Sequence, residues 1–304
     1  METRKIGTLD ASVVGLGCNN FGWHIDEAET GRVVDAALDA GINFFDTADI
    51  YGGTKSEEFL GRVLQGRRDR VVLATKFGIK IDDRRPGGAR PEYVRQAAED
   101  SLRRLDTDHI DLYQLHRPDD DTPIADTLGA LNALVQAGKV REIGCSNFSA
   151  AQLQEAEAAT GGARFVSVQN EYSLLQRAPE ADVLAECEKL GVTFLPYFPL
   201  ASGLLTGKYR KGKPLPEGTR IQAQGRFSEL LTDKNLDTVE ALIAFAESRG
   251  HTVLELAFSW LIRQPAVASV IAGATSTGQI RSNAAAAEWR LSAEEMGEVE
   301  AILR

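Results

Sequence analysis

Between Asn43 and Leu60 the chain reads NFFDTADIYGGTKSEEFL, which sets a carboxylate, Asp46, five residues before a phenol, Tyr51. Two more reactive types stand where apolar runs end, Lys76 after VVLAT and His116 after DLYQL. Together the four can do proton chemistry at a polar bond. A free phenol has a pKa of about 10, too high for ready proton exchange near neutrality. A lysine ammonium beside it favours the phenolate and is expected to lower that value. Asp46 can hold Lys76 charged and in place, and His116 can orient a carbonyl oxygen or relay its proton. That is a general acid facing a reducible carbonyl. Each residue alone has a plainer role: Asp46 and Lys76 as a buried structural ion pair, His116 as a hydrogen-bonded packing residue. Asp49 reads as a loop-stabilising residue.

The elements that carry these groups must bring their ends together. Ile42, Phe44 and Phe45 have the bulk of a strand held between layers. After Gly52-Gly53, Ser56 with Glu57 and Glu58 reads as a helix N-cap with acids at the positive helix end. Upstream, Lys5–Val14 reads as a hairpin turning at Leu9-Asp10, followed by a strand over Val14–Cys18. A helix over Ala28–Ala40 is opened by Asp26 with Glu29 three residues on. Downstream, strands at Val71–Thr75, Ile110–Leu115, Glu142–Cys145, Phe165–Val168, Val192–Leu195 and Ser269–Ile271 alternate with helices. The helices fall at Glu57–Leu64, Pro91–Leu105, Ile124–Ala137, Ala150–Ala158, Asp182–Leu190, Thr238–Arg249, Leu254–Ile262 and Ala293–Leu303.

Eight such strands, each followed by helix, predict an α/β fold: one (β/α)8 TIM barrel with a short N-terminal hairpin, a single domain over residues 1–304. Reactive groups of a barrel lie at the C-terminal strand ends, where Asp46, Lys76 and His116 all fall. Gly15 and Gly17 continue into Asn-Asn-Phe-Gly, not GxGxxG, which counts against a Rossmann fold. The Pro199–Phe227 segment is rich in glycine and proline and reads as a long loop, of a length usually tied to function.

The composition bounds the partners. A chain of 304 residues, 43% hydrophobic, buries a large core. A net charge of −10 and a pI near 5.1 argue against nucleic acid or an anionic membrane. No apolar run approaches the roughly 18 residues of a membrane span. The N-terminal METRKIG lacks a signal-peptide apolar region, so a cytoplasmic protein is expected. The three cysteines, Cys18, Cys145 and Cys187, and the four histidines, His24, His109, His116 and His251, have no metal-ligand spacing. Neither a metal centre nor a disulfide framework is expected.

Seven stretches carry a resemblance: FFDTADIYGGTKSE, LATKFG, DLYQLHRPD, IGCSNFS, VQNEYSLL, LPYFPLASGLLTGKY and IAGATSTGQIRSN. In this order, along essentially the whole chain, they resemble the aldo-keto reductase superfamily, in pattern nearest its bacterial reductases and potassium-channel β-subunit-like branch. The resemblance implies the barrel and a catalytic tetrad on Asp46, Tyr51, Lys76 and His116. It implies hydride transfer from C4 of a nicotinamide to an aldehyde or ketone, or the reverse oxidation of an alcohol, with Tyr51 handling the proton.

Cofactor contacts are implied as well. Ser146, Asn147 and Gln169, beside Asp46, match the residues that hold the nicotinamide carboxamide, and Tyr197 the aromatic stacked on its ring. Pro199, Leu200, Ser202 and Gly203 match the pyrophosphate path, with Leu205 beside it and Lys208 reaching a phosphate. Gly273, Thr275, Gln279 and Asn283 match the adenosine end, where a helix N-terminus meets phosphate. Two positions depart from the pattern. Thr275 and Ser276 stand where many relatives carry a basic residue after Gly-Ala, and Ser282 where a glutamate often precedes the asparagine. Arg220, Arg226 and Arg281 are candidates to supply the charge instead. NADP(H) is expected ahead of NAD(H).

The substrate is expected to be a small carbonyl or alcohol, with Trp23, Tyr51 and His116 around it. His24, Phe77, Tyr93 and Phe148 are further ring-bearing candidates at the mouth. Arg84, Arg85 and Arg90 lie in a loop that could draw an anionic substrate, or that could simply be solvated. A second reading is a cofactor-binding redox sensor or channel-β-subunit-like regulatory protein, since such proteins keep the tetrad. Nothing before Lys5 suggests a channel-blocking peptide.

Overall fold

A computed structural model describes residues 1–217 and 225–304. The chain opens with an antiparallel hairpin of β1 (Thr3–Ile6) and β2 (Leu9–Ser12). Its turn is at Gly7-Thr8, because Gly7 takes a φ of +58° that Leu9 would resist; Leu9 and Asp10, expected in the turn, pair with Ile6 and Lys5. Ile6, Leu9 and Ala11 pack against Phe44, Ala74, Leu112 and Leu195 and so stopper the barrel interior.

Eight parallel strands follow: β3 (Val14–Gly17), β4 (Phe44–Asp46), β5 (Val72–Phe77), β6 (Ile110–Leu115), β7 (Val140–Ser146), β8 (Phe165–Glu171), β9 (Thr193–Tyr197) and β10 (Val270–Gly273). They lie in the order β10-β3-β4-β5-β6-β7-β8-β9. Phe194 N donates to Ala266 O at 2.7 Å and Ala268 N to Phe194 O at 3.2 Å, which bridges β9 to the approach of β10 and brings the sheet round into a barrel. Hydrophobic side chains such as Leu73, Val94 and Leu131 fill the layer between strands and helices.

The helices are α1 (Glu27–Asp39), α2 (Lys55–Val63), α3 (Pro91–Arg104), α4 (Ile124–Gln136), α5 (Ala150–Ala159), α6 (Val183–Leu190), α7 (Asp233–Glu247), α8 (Val253–Ile262), α9 (Thr277–Ala285) and α10 (Ala293–Ile302). Asp26 caps α1 as the sequence suggests, accepting from Glu29 N at 2.9 Å. The cap expected at Ser56 is absent. Thr54, at φ +89°, occupies the N-cap position of α2, its hydroxyl donating to Glu58 Oε1 at 2.7 Å rather than capping the helix backbone. Ser56 lies within the helix, donating to Cys18 O at 3.0 Å and bonded to Thr47 Oγ1 at 2.8 Å, a buried hydroxyl drawn to fixed partners. Helix α7 starts well before the expected Thr238, because Thr232 caps it through Asn235 N. The long loop contains short 3-10 turns at Ala201–Thr206 and Gly225–Leu230. No helix among the described residues is long and apolar enough to cross a membrane.

Candidate active site

Strand β4 ends on Asp46, and β5 places Lys76 one residue before its own end. The fully buried Lys76 ammonium donates to Asp46 Oδ2 at 2.6 Å and to Thr47 O at 2.9 Å. Asp46 Oδ1 in turn accepts from Gln114 Nε2 at 3.1 Å and Gln169 Nε2 at 2.9 Å. The charges are thus paired and hydrogen-bonded, as buried charges must be. Burial works against the ammonium, yet the neighbouring Asp46 carboxylate holds the Lys76 pKa above the usual lysine range.

Tyr51 opens a 3-10 turn, and Gly52 after it has φ +63°. A Cβ on Gly52 would lie 2.5 Å from Phe21 O, so glycine lets the two loops touch. Lys76 Nζ sits 5.2 Å from the Tyr51 ring centre. The lowering of the Tyr51 pKa expected from Lys76 is not what the structure gives. Burial outweighs the ammonium, Asp46 adds to it, and the phenol is held above its usual range. Tyr51 is therefore a protonated donor at neutral pH.

His116 follows β6, its ring edge-on to Tyr51 at 5.9 Å and 83°. Burial first, then Lys76 and Arg117, hold its pKa well below the usual histidine value, so the imidazole is neutral. Its Nδ1 is buried with no protein partner. The backbone fixes the residue: His116 N donates to Phe77 O at 2.8 Å, and His116 O accepts from Asn147 Nδ2 at 3.0 Å.

A cavity of about 1320 Å³ opens over these groups. Asp46, Tyr51, His116, Ser146, Asn147, Gln169 and Tyr197 line one part of it, Pro199, Leu200, Ser202, Gly203 and Lys208 another, and Gly273, Thr275, Gln279 and Asn283 a third. Five expected residues stand apart. Lys76 lies behind the wall and acts through Asp46 and Tyr51. Leu205 is buried in the core rather than on the wall, an apolar side chain going where water is excluded. Arg220 lies outside the described residues, as does the side chain of Arg226. Arg281 does not line the cavity.

The walls suit a dinucleotide. Asn147 takes φ +62°, and its Oδ1 accepts from Tyr197 Oη at 2.8 Å, which fixes the half-buried Tyr197 ring. Ser146 Oγ donates to Gln169 O at 2.7 Å. Because Gln169 Nε2 is committed to Asp46, its Oε1 is the group left for a carboxamide. Phe198, Ala201 and Ser202 all have positive φ, a run of strained residues of the kind that clusters at ligand sites. A Cβ on Gly203 would lie 2.9 Å from Lys208 Nζ, so glycine leaves room for that cation over the backbone. At the third part, Ser276 caps α9 by accepting from Gln279 N at 3.3 Å, and Thr275 N donates to Gln279 Oε1 at 2.7 Å. Among the described residues no cation lines this part.

Substrate candidates divide in the same way. Trp23, 56% exposed and with its ring 6.1 Å from that of Tyr51, lines the cavity, as does His24. Phe77, Tyr93 and Phe148 are packing residues, Phe77 stacked on Tyr113 at 4.7 Å and Phe148 edge-on to Phe165 at 5.7 Å. Arg85 pairs with Asp82 and Arg90 with Glu92, and neither they nor Arg84 reach the cavity. The sequence reading passed over Arg117, Ile50, Ile79, Phe198 and Glu229, all on the wall. The position of Arg117, directly after His116, was the signal available for it.

A model of the Aldo/keto reductase family matches residues 13–304. The chain is 34% identical, over 305 aligned residues, to the probable aldo-keto reductase 1 of Glycine max, covering 97% of this chain and 87% of that one. Among solved structures it resembles the holo form of aldo-keto reductase AKR11C1 from Bacillus halodurans, with a TM-score of 0.84, 34% identity and coverage of 100% of this chain and 97% of that one. It also resembles the glycerol dehydrogenase AKR11B4 from Gluconobacter oxydans, with a TM-score of 0.86, 34% identity and coverage of 99% and 95%.

Proposed function

The chain belongs to the aldo/keto reductase family, whose members carry out nicotinamide-dependent oxidoreduction of carbonyls and alcohols, and from that premise we propose an NADP(H)-dependent aldo-keto reductase with Tyr51 as general acid. The carrying observation is the convergence of Tyr51 and His116 over the buried Asp46–Lys76 pair on one cavity wall. When bound, the reduced nicotinamide supplies the hydride from C4. Ser146, Asn147 and Gln169 would hold its carboxamide, Tyr197 its ring, and Ser202, Gly203 and Lys208 its pyrophosphate.

The protein's own groups do the rest. Tyr51, a phenol at neutral pH, gives its proton to the carbonyl oxygen, and the neighbouring ammonium of Lys76 stabilises the phenolate that remains. Neutral His116 orients the same oxygen by hydrogen bonding. Asp46 keeps Lys76 charged and in register. In the opposite direction the phenolate form of Tyr51, stabilised by Lys76, takes the proton from an alcohol, and the glycerol dehydrogenase among the neighbours supports a small, polar substrate of that kind. At the adenosine end, hydroxyl and amide groups of Thr275, Ser276 and Gln279 would meet the 2′-phosphate in place of a cation. A single cytoplasmic domain completes this reading; all three cysteines are free, as a reducing compartment keeps them.

The test is a panel of aldehydes, ketones and small alcohols with each cofactor, followed at the absorbance of the reduced nicotinamide. Turnover of several members supports the proposal. Tight cofactor binding with no turnover of any member would instead favour the redox-sensor alternative.

A further inference from the structure

Among the described residues, three charged side chains line the cavity besides Asp46, which is committed to Lys76: Arg117, Lys208 and Glu229. Lys208 lies against Gly203 and Tyr209 in the segment assigned to the pyrophosphate. Arg117 has no such use. It directly follows His116, is exposed, and its charge bears on both His116 and Tyr197. It stands at the reacting end of the cavity.

Among the described residues no carboxylate forms an ion pair with Arg117 or accepts its hydrogen bond. Glu171, at the end of β8, is the half-buried carboxyl on the adjoining wall. Its pKa is raised by burial alone, so the guanidinium does not neutralise it. Glu229, elsewhere on the cavity lining, is likewise unpaired with Arg117. By contrast Arg4, Arg32, Arg62, Arg67, Arg85 and Arg104 each hold a carboxylate. A guanidinium left unpaired beside neutral His116, on the cavity that Tyr51 also lines, presents a planar fork of donors matched to a carboxylate or phosphate.

We propose that Arg117 selects the substrate class: carbonyl compounds that carry a carboxylate or phosphate a few bonds from the reacting group. The inference rests on the reductase reading above. It differs from the sequence expectation, in which the loop of Arg84, Arg85 and Arg90 could draw an anionic substrate or could simply be solvated.

Two matched substrate pairs test it, succinic semialdehyde against its methyl ester and glyceraldehyde 3-phosphate against glyceraldehyde. A charge-assisted hydrogen bond contributes about 1.5–3 kcal/mol, so kcat/KM should favour the charged member of at least one pair by about ten-fold or more. The pair that shows the larger preference identifies carboxylate or phosphate as the recognised group. Arg117→Gln should bring that ratio near one, Arg117→Lys should restore part of it, and Arg84→Gln should leave it where it was. Raising the salt concentration should shrink the wild-type ratio.

Equal use of both members by the wild type would overturn the proposal while leaving the reductase reading intact. So would an Arg117→Gln loss equal for charged and neutral members, which would mean that Arg117 acts only on His116. Absence of turnover with every aldehyde would overturn the reductase reading itself.

Discussion

Lys76 Nζ and Asp46 Oδ2 lie 2.6 Å apart, the lysine fully buried and the aspartate nearly so at the floor of the cavity. Such a pair is costly to desolvate and costlier to break, since removing one partner strands the other charge. Lys76→Met should therefore lower the folding stability by about 3–5 kcal/mol. Adding Asp46→Leu should recover a large part of that loss. Denaturant midpoints of the two variants check this, and a double variant no more stable than Lys76→Met would contradict it.

Tyr51→Phe removes the donor while keeping the ring that packs between Trp23 and His116. A positioned general acid contributes roughly 10²–10⁴-fold, so kcat should fall by about that factor. Cofactor affinity, read by quenching of protein fluorescence, should stay within about two-fold, because the cofactor walls are built from other residues. A variant retaining full activity would remove Tyr51 from the proton transfer.

The barrel and the residues facing its cavity were legible because strand ends are marked by an abrupt change of polarity, as at Phe45-Asp46 and Leu115-His116. What failed was local and depended on tertiary partners. Ser56 looked like a cap, but the carbonyl that claims its hydroxyl belongs to Cys18, 38 residues earlier. Phe77 and Tyr93 looked like mouth residues, but strand register turns Phe77 onto Tyr113 and Tyr93 falls on the buried face of α3. The sign of the Tyr51 shift was misjudged for a related reason: the lysine could be read from the sequence and the depth of burial could not.

Cofactor preference should be real but modest. The proposed adenosine end offers Thr275, Ser276 and Gln279, and three of their donors are spent inside the turn, Thr275 N and Oγ1 on Gln279 Oε1 and Gln279 N on Ser276 Oγ. NADPH should quench fluorescence at lower concentration than NADH, by less than roughly ten-fold, since no cationic side chain lines this part of the cavity among the described residues. Thr275→Lys supplies a cation at the position following Gly273-Ala274. It should widen the preference for NADPH by about ten-fold, with NADH affinity little changed. Tighter binding of NADH than NADPH by the unaltered protein would reverse the cofactor assignment.

Asp49 gives the protein a stability that depends on pH. Its side chain is 2% exposed, and Oδ1 is buried without a partner. Burial and then the nearby Glu57 carboxylate push its pKa up to about 8, while Arg104 and Arg85 pull the other way. Tyr93 and Tyr113, whose own pKa values are raised by burial and then by Asp49, stay neutral around it. The folded protein therefore keeps a proton that the unfolded chain releases near the ordinary value of 3.8. This contribution is complete below about pH 4 and is lost progressively as pH rises to about 8, where the folded group ionises as well. Asp49→Asn cannot ionise, so its stability should fall less steeply over that window. Denaturant midpoints of both proteins at pH 5, 6, 7 and 8 measure the difference, and parallel curves would show that Asp49 is ionised in the folded state throughout.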